Sequence, residues 1–513
     1  MAIPVIHMLT MKLIITNKTN LQKKYGAHHQ TILDALKTLQ TYDATRQLQT
    51  HIIFVDDPVQ MKSFQATPVT EHNSDAQYKQ AIDELYHFFT PGYIMLIGSQ
   101  DIVPFQRLKN MLSGENDPDS LIPSDLPYAC DMPYDKDPGK FISPTRVVGR
   151  LPDIPGVSDH SYLLSLLNDI PAVKPLPQSE YKHYFSVSTF DWQDSTQNSL
   201  QQIFGNNKSL LVLPGEPNIT GDNWTAAQLQ PRTHFINCHG AIYNPGYYGQ
   251  QVTNFPLAMR SDGLANKISH GTVVATECCY GGQLFDPGKN DAKLMSMANS
   301  YLLNHAVAFV GSSNIAYGPP KGQGLADLLT QFFLINILNG ASTGRALLEA
   351  RQRFLNEMGP TLDPFELKTA AQFYLLGDPS IQPVINDKDP STDGQEKAFI
   401  NTVQNRRDNL EARGKMLHNF IAVPQETGTP TPDKGLQNAM HSLLDEKEFK
   451  DKPLPKTFVN HHQAGEPTEQ SMPSVKFHVF SESAAGGAST STKVLVVKEK
   501  NNQILGYREY VSR

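Results

Sequence analysis

The sequence predicts an α/β fold in which a mostly parallel sheet is flanked by helices. Short apolar runs rich in β-branched residues alternate with longer stretches of helical periodicity, which is the pattern of successive strand–helix–strand units. Runs such as Thr272–Thr276 are apolar throughout, as expected of strands that are covered on both faces. The composition, 39% hydrophobic and 19% charged over 513 residues, is ordinary for a folded chain of two or three domains.

The first 160 residues are predicted to form an N-terminal α/β subdomain. Its strand candidates are 12–16, 51–55 and 93–97, and its helix candidates are 30–48 and 75–89. Residues 106–145 are rich in proline, aspartate, serine and glycine, which predicts a long loop.

Residues 180–385 are predicted to form a second α/β subdomain, because strand and helix patterns again alternate. The strand candidates are 183–189, 210–213, 234–238, 272–276 and 307–310. The helix candidates are 197–204, 292–304, 325–338 and 343–357.

Residues 386–513 form a C-terminal extension of different composition, with many charged, proline, glycine and threonine residues. We expect it to be partly flexible, with one helix near 436–444 and a flexible linker over Ser481–Thr492. The runs 493–497 and 504–510 flank Asn501 and Asn502, which predicts a terminal β-hairpin.

Charge and cysteine content exclude several classes of function. A formal net charge of −7 gives no basic field for nucleic acid. Four cysteines, two of them adjacent, do not make a disulfide framework and fit reduced thiols. The N-terminus lacks the pattern of a secretory signal, and no run is apolar enough to span a bilayer, so a cytoplasmic location without a membrane span is expected.

Two motifs place reactive side chains where buried strands end. Cys278 and Cys279 follow one strand candidate, and His239 and Gly240 follow another. The carboxyl ends of parallel strands are where α/β folds usually hold their reactive groups. If these two strands are neighbours, a histidine and a cysteine meet at one edge of the sheet, where the cysteine can act as a nucleophile.

These motifs, in this order, resemble the caspase-like cysteine peptidases and most closely the gingipain family. The carrying residues are His239–Gly240, Glu277–Gly282 and Leu376–Ser380, preceded by Pro91–Pro104 and Val147–Pro152. The likeness spans roughly residues 90 to 385. It implies a caspase-like fold and a cysteine endopeptidase that acts on protein or peptide substrates without a cofactor or metal.

The resemblance also implies roles for individual residues. Cys279 is expected to be the nucleophile and His239 the general acid/base, with the N–H groups of Gly240 and Cys279 as the oxyanion hole. Substrate binding is assigned to Asp191 or Glu277, since an acid in a partly desolvated pocket favours Arg or Lys before the scissile bond. Asp191 is equally compatible with a helix N-cap.

The sequence leaves several alternatives open. Cys278 is a second candidate nucleophile, although Cys279 places Gly281 and Gly282 better for the turn that follows. Glu180 is a candidate for orienting His239, although a solvated glutamate is an equally good interpretation. A catalytically silent scaffold for protein interaction keeps the same fold. A zinc module is also possible, but adjacent Cys-Cys and Cys-His pairs strain tetrahedral coordination.

Overall fold

A computed structural model describes residues 10–114, 117–214, 221, 223–385, 396–427, 432–450, 453–462, 475–484 and 491–513. Its strands are β1 (Thr10–Thr16), β2 (Leu48–Phe54), β3 (Tyr93–Ile97), β4 (Gln106–Lys109), β5 (Leu121–Ser124), β6 (Val148–Leu151), β7 (Tyr184–Thr189), β8 (Leu210–Leu213), β9 (Thr233–Asn237), β10 (Gly246–Tyr248), β11 (Leu257–Arg260), β12 (Thr272–Thr276), β13 (Ala306–Ser312), β14 (Tyr317–Gly318), β15 (Phe373–Gly377), β16 (Ala422–Thr427), β17 (Lys456–His462), β18 (Lys476–Ala484), β19 (Ser491–Lys500) and β20 (Gln503–Ser512).

The helices cover both faces of the main sheet or lie in the extension. They are α1 (Lys18–Tyr25), α2 (His29–Thr45), α3 (Pro58–Ser63), α4 (Asp75–Phe89), α5 (Ser161–Asp169), α6 (Gln178–Lys182), α7 (Gln193–Phe204), α8 (Ala226–Leu229), α9 (Met297–Leu303), α10 (Leu325–Leu338), α11 (Thr343–Met358), α12 (Pro364–Gln372), α13 (Glu396–Phe420) and α14 (Lys434–Glu446). Within the described residues, no helix combines the length and apolar character that a membrane span requires.

The described residues build a central ten-stranded sheet in the order β2-β1-β3-β6-β15-β13-β12-β9-β7-β8. Neighbouring strands are parallel except at β13 and β15, which are antiparallel and join two parallel halves. The predicted α/β class with a mostly parallel, helix-flanked sheet is therefore confirmed. Because one sheet contains strands from both predicted subdomains, the division of the chain at residues 1–160 and 180–385 stays a prediction.

Strand β12 shows why these apolar runs form central strands. All five of its residues are buried. Val274 joins the hydrophobic core on one face of the sheet, while Val273 and Ala275 join the core on the other face. A strand with apolar side chains on both faces is stable only when helices cover both, so β12 lies in the middle of the sheet.

Several elements differ from the predictions. Residues 106–145 are not one loop, because β4 and β5 pair antiparallel and the turns Leu126–Ala129 and Pro138–Phe141 are helical and mostly buried. The 25-residue helix α13 was not predicted, although its Leu410 and Leu417 are buried. Of the predicted linker over Ser481–Thr492, residues 481–484 and 491–492 lie in strands, and 485–490 lie outside the described residues.

The extension forms a second, antiparallel sheet in the order β14-β20-β19-β18-β17-β16. Strands β19 and β20 make a hairpin whose turn residues Asn501 and Asn502 have φ of 55° and 62°, the left-handed region that asparagine tolerates. Strand β14 comes from the α/β part, and it pairs with β20 through Tyr317 and Gly318. The end of the chain is thereby fixed next to the strand-end motifs.

Candidate active site

The histidine and cysteine motifs both follow the carboxyl ends of strands in the central sheet. Strands β9 and β12 are adjacent and parallel, with Ile236 opposite Thr276. His239 and Cys279 follow these two strands at equivalent distances, and both are nearly inaccessible to solvent, at 1% and 5% exposed. The predicted meeting of an imidazole and a thiol at the carboxyl ends of neighbouring strands thus has a basis in the sheet order.

At the ends of β9 and β12, successive side chains point to opposite faces of the sheet. Cys238 and Cys278 lie in the hydrophobic core on one face of the sheet, and the Cys238 thiol points to the Val187 carbonyl oxygen, 3.7 Å away. Asn237 and Glu277 lie on the opposite face, where both contact the guanidinium of Arg513. Cys278 is therefore a core residue.

The backbone of the histidine loop packs directly on the cysteine loop at Gly240. A Cβ atom added to Gly240 would lie 1.9 Å from the carbonyl oxygen of Cys279, far inside van der Waals contact. A side chain at this position would push the two loops apart. Glycine here permits the close approach that the site requires.

His239 is held by both its main chain and its ring. Its backbone N–H and C=O exchange hydrogen bonds with Tyr248. Its Nε2 is hydrogen-bonded to the Oε1 atom of Gln250, whose Nε2 donates to the Val252 carbonyl oxygen at 3.0 Å. The ring also contacts Trp192, with centroids 4.4 Å apart. Burial, together with the positive charge of Arg513, lowers the pKa of His239 to about 4, so the imidazole is neutral in this state.

The Cys279 thiol is likewise neutral in this state. Its Sγ donates to the carbonyl oxygen of Ala316 at 3.4 Å. Burial raises the pKa of Cys279 to about 12. Its backbone N–H is engaged as well, since it donates to the carbonyl oxygen of Arg513 at 2.8 Å.

Arg513, the last residue of the sequence, fills a pocket beside Cys279. Its side chain is fully buried. The Nη1 atom donates to Glu277 at 2.8 Å and to the amide oxygen of Asn237 at 2.5 Å. The Nη2 atom lies 2.7 Å from a carboxylate oxygen of Asp327. The guanidinium also lies 4.9 Å from the centre of the Trp192 ring, a cation–π distance.

The main chain before Arg513 runs along the site as an added strand. Ser512 and Val511 pair antiparallel with Tyr317 and Gly318 of β14. The Arg513 N–H donates to the Ala316 carbonyl oxygen at 2.9 Å. A Cβ atom on Gly318 would lie 2.1 Å from Nε of Arg513, so the absence of a side chain there makes room for the arginine.

In the pocket, the carboxylates of Glu277 and Asp327 both pair with the guanidinium of Arg513. Asp327 also accepts from the Ser195 hydroxyl at 2.7 Å, and Glu277 accepts from Thr330 at 3.3 Å. Burial, and then the negative charge of Asp327, raise the pKa of Glu277 well above its ordinary value, and Arg513 only partly opposes this shift. Arg513 is therefore the positive charge that favours the ionised form of Glu277 in this pocket.

Two sequence-based candidates lie elsewhere. Asp191 is exposed at the surface, and the carboxylates that pair with Arg513 are Glu277 and Asp327. Glu180 is an exposed residue of α6, which precedes β7, whereas His239 follows the parallel strand β9 at the opposite end of the sheet. Asp191 directly precedes Trp192 of the pocket, with its carboxylate near the Val252 N–H, whereas Glu180 lies at the other end of the sheet from the imidazole.

Sequence reasoning missed several residues of the site. Asn237, Trp192 and Gln250 give no motif of their own. Asp327 lies in the first turn of α10 and also accepts from the N–H of Gly324 at 3.2 Å, so from sequence it is a helix-capping acid. Arg513 could be found only through the fold, since its partners are more than 180 residues away.

One histidine- and carboxylate-containing group among the described residues has metal-compatible spacing. The ligand atoms of Asp169, His270 and His305 lie within 4.8 Å of one another. His305 Nδ1 and Asp169 Oδ2 are 2.8 Å apart, and Arg232 places its positive charge nearby. This group contains neither His239 nor any cysteine, so it does not form the zinc module considered from the sequence.

Comparisons with known proteins give one family match and one structural alignment. No curated protein matches the chain. A solved structure described as "Structure of Protease" aligns over 98% of this chain and 97% of its own, with 12% sequence identity and a TM-score of 0.46. The model of "Peptidase family C25" matches residues 243–384, a segment that begins just after His239 and contains Glu277, Cys279 and Asp327. Over these residues the resemblance indicated by the Cys279 motif is confirmed, since residues 243–384 match the C25 family of peptidases.

Proposed function

We propose that the protein is a cysteine endopeptidase that cleaves peptide bonds on the carboxyl side of arginine, with Cys279 as nucleophile and His239 as general acid/base. The single observation that carries this proposal is the position of Arg513. Its guanidinium is buried between Glu277 and Asp327, and its carbonyl oxygen accepts from the Cys279 N–H at 2.8 Å. This is the arrangement expected of the residue before a scissile bond.

The proposed reaction uses one thiol and one imidazole. The Cys279 proton passes to His239 and the sulfur attacks the carbonyl carbon, forming a C–S bond. The C–N bond then breaks as His239 returns the proton to the departing amine. Water attacks the resulting thioester while His239 accepts its proton. The C–S bond breaks, an acid ending in arginine leaves, and the thiol recovers the proton.

Two backbone donors support the charged intermediate in this scheme. The Cys279 N–H already faces the carbonyl oxygen of Arg513, and the gingipain-like His239–Gly240 motif adds the N–H of Gly240. Gln250 engages Nε2 of His239, so proton transfer is assigned to Nδ1. Trp192 and Phe255 pack on the ring, at 4.4 and 5.3 Å between centroids, and limit its rotation.

The pocket favours arginine over lysine. The two terminal nitrogens of a guanidinium reach Glu277 and Asp327 at the same time, and its planar face lies over Trp192. A lysine ammonium is a point charge that cannot span both carboxylates in this way. We therefore expect lysine before the scissile bond to be accepted more weakly than arginine.

Fluorogenic peptides that differ only in the residue before the scissile bond test the proposal. Arginine should be cleaved fastest, lysine more slowly and neutral citrulline hardly at all. A folded sample that releases no fluorophore, and whose Cys279 resists a peptidyl-arginine chloromethyl ketone once the pocket is vacated, would instead favour the silent scaffold. A preference for an uncharged residue would contradict the assignment of Glu277 and Asp327 to substrate binding.

A further inference from the structure

The end of the chain fills the groove that the proposed function assigns to substrate. Val511, Ser512 and Arg513 lie in sequence along β14 and the Cys279 loop, and Tyr510 precedes them in β20. The main-chain N–H and oxygen of Arg513 and both of its terminal guanidinium nitrogens are hydrogen-bonded, whereas its buried Nε has no hydrogen-bond partner among the described residues. A substrate that places an arginine beside Cys279 would need the same hydrogen bonds and the same space.

A second anchor lies three residues before Arg513. Tyr510 is 4% exposed, and its hydroxyl donates to Asp363 at 2.8 Å. Its ring packs on Phe365 with centroids 5.2 Å apart. An extended segment with an aromatic residue followed three positions later by arginine therefore fits the groove at two points.

The segment that ends in Arg513 also shields Cys279 and His239 from solvent. With Arg513 in place, Cys279 and His239 are almost completely buried. The low pKa of His239 and the high pKa of Cys279 keep the pair neutral, and neutral thiol is a poor nucleophile. No external peptide can reach the sulfur by the route that Arg513 takes.

We infer that residues 510–513 are a built-in ligand of the active-site groove, which holds the peptidase in an inhibited state and displays the peptide pattern that it recognises, an aromatic residue three positions before arginine. The inference rests on the proposed function, because it concerns access to the same site. Val511 and Tyr510 also pair with Lys493 and Val494 of β19, so these pairings must open before a peptide can take both anchor positions.

Binding of a labelled peptide tests the inference without any need for catalysis. The probe is the peptide fluorescein-Tyr-Val-Ser-Arg, and its binding to the 513-residue protein that carries Cys279→Ala is measured by fluorescence anisotropy. Adding Arg513→Ala should lower the Kd for the probe at least tenfold. Arg353→Ala removes an exposed arginine instead and should leave the Kd unchanged. Equal Kd values with and without Arg513 would overturn the inference.

Two further measurements distinguish a failure of the proposed function from a failure of the inference about residues 510–513. Arg513→Lys keeps a cation but loses the planar fork, so it should give an intermediate Kd even if Arg513→Ala folds poorly. With Cys279 present, Arg513→Ala should cleave a Tyr-Val-Ser-Arg substrate faster than the unaltered chain. Probe binding without cleavage would refute the proposed function and leave the groove ligand intact. Equal cleavage with and without Arg513 would refute the inference alone.

Discussion

Glu277→Gln offers a direct test of the arginine pocket. The substitution keeps the shape of the side chain but removes a buried negative charge that lies 2.8 Å from the guanidinium. Truncating one partner of a buried charge pair costs 2–5 kcal/mol. Because Asp327 still holds the other half of the fork, we expect about 3 kcal/mol at a pH above the raised pKa of Glu277, which corresponds to a loss of about 100-fold in kcat/KM for an arginine substrate.

The assay compares matched Tyr-Val-Ser-Arg and Tyr-Val-Ser-citrulline substrates in the Arg513→Ala background, where the pocket is free. Citrulline has no charge for Glu277 to attract, so Glu277→Gln should change its kcat/KM by less than about 3-fold. Asp191→Asn is the control carboxylate, and because Asp191 is exposed, with its carboxylate near the Val252 N–H, we expect less than about a 2-fold change. Equal losses for arginine and citrulline would refute the charge-pairing explanation.

The same pair of proteins yields a pH test. The pKa of Glu277 is raised well above its ordinary value, so this carboxyl takes up a proton at a higher pH than an exposed glutamate does. A protonated Glu277 is as uncharged as glutamine. The ratio of kcat/KM between the parent and Glu277→Gln should therefore be largest at high pH and fall toward one as the pH decreases through that raised pKa. A ratio independent of pH would contradict a carboxylate role.

Three other variants test the reacting groups. Cys279→Ala should abolish cleavage, whereas Cys278→Ala should keep kcat within a few-fold and cost about 1 kcal/mol of stability in chemical unfolding, because Cys278 is a core residue. Gly240→Ala should lower kcat at least about 100-fold, since its Cβ would meet the Cys279 carbonyl oxygen, and full activity would contradict the tight loop contact. Gln250→Ala should lower kcat about tenfold with little change in KM and shift the pH profile of kcat, and Gln250→Glu should restore part of the rate if Gln250 positions His239.

The sequence was sufficient where the signal is local. Buried strands such as β12 are continuous runs of small and β-branched residues, and the residues that follow them are placed by the strand itself, so His239 and Cys279 could be expected where β9 and β12 end. The cores on both faces of β12 confirm the expected coverage by helices.

Long-range contacts explain what sequence reasoning missed. Strand β15 has an ordinary apolar pattern, and only its antiparallel pairing with β13 shows that the sheet changes direction there. Asp191 was chosen because it follows a strand, but the second pocket carboxylate, Asp327, comes from the first turn of a helix on another part of the chain. No periodicity connects Arg513 with acids that far away in sequence.

The attachment of the last strand to the second sheet has a quantitative consequence for competition. A ligand tethered to its own receptor acts at an effective concentration of the order of millimolar, whatever the dilution of the protein. Because β19 keeps β20 beside the groove, a free peptide with the same contacts must outcompete that local concentration. Substrates would then be selected for displacing a resident segment, and their apparent affinity would understate how tightly the vacant groove binds them.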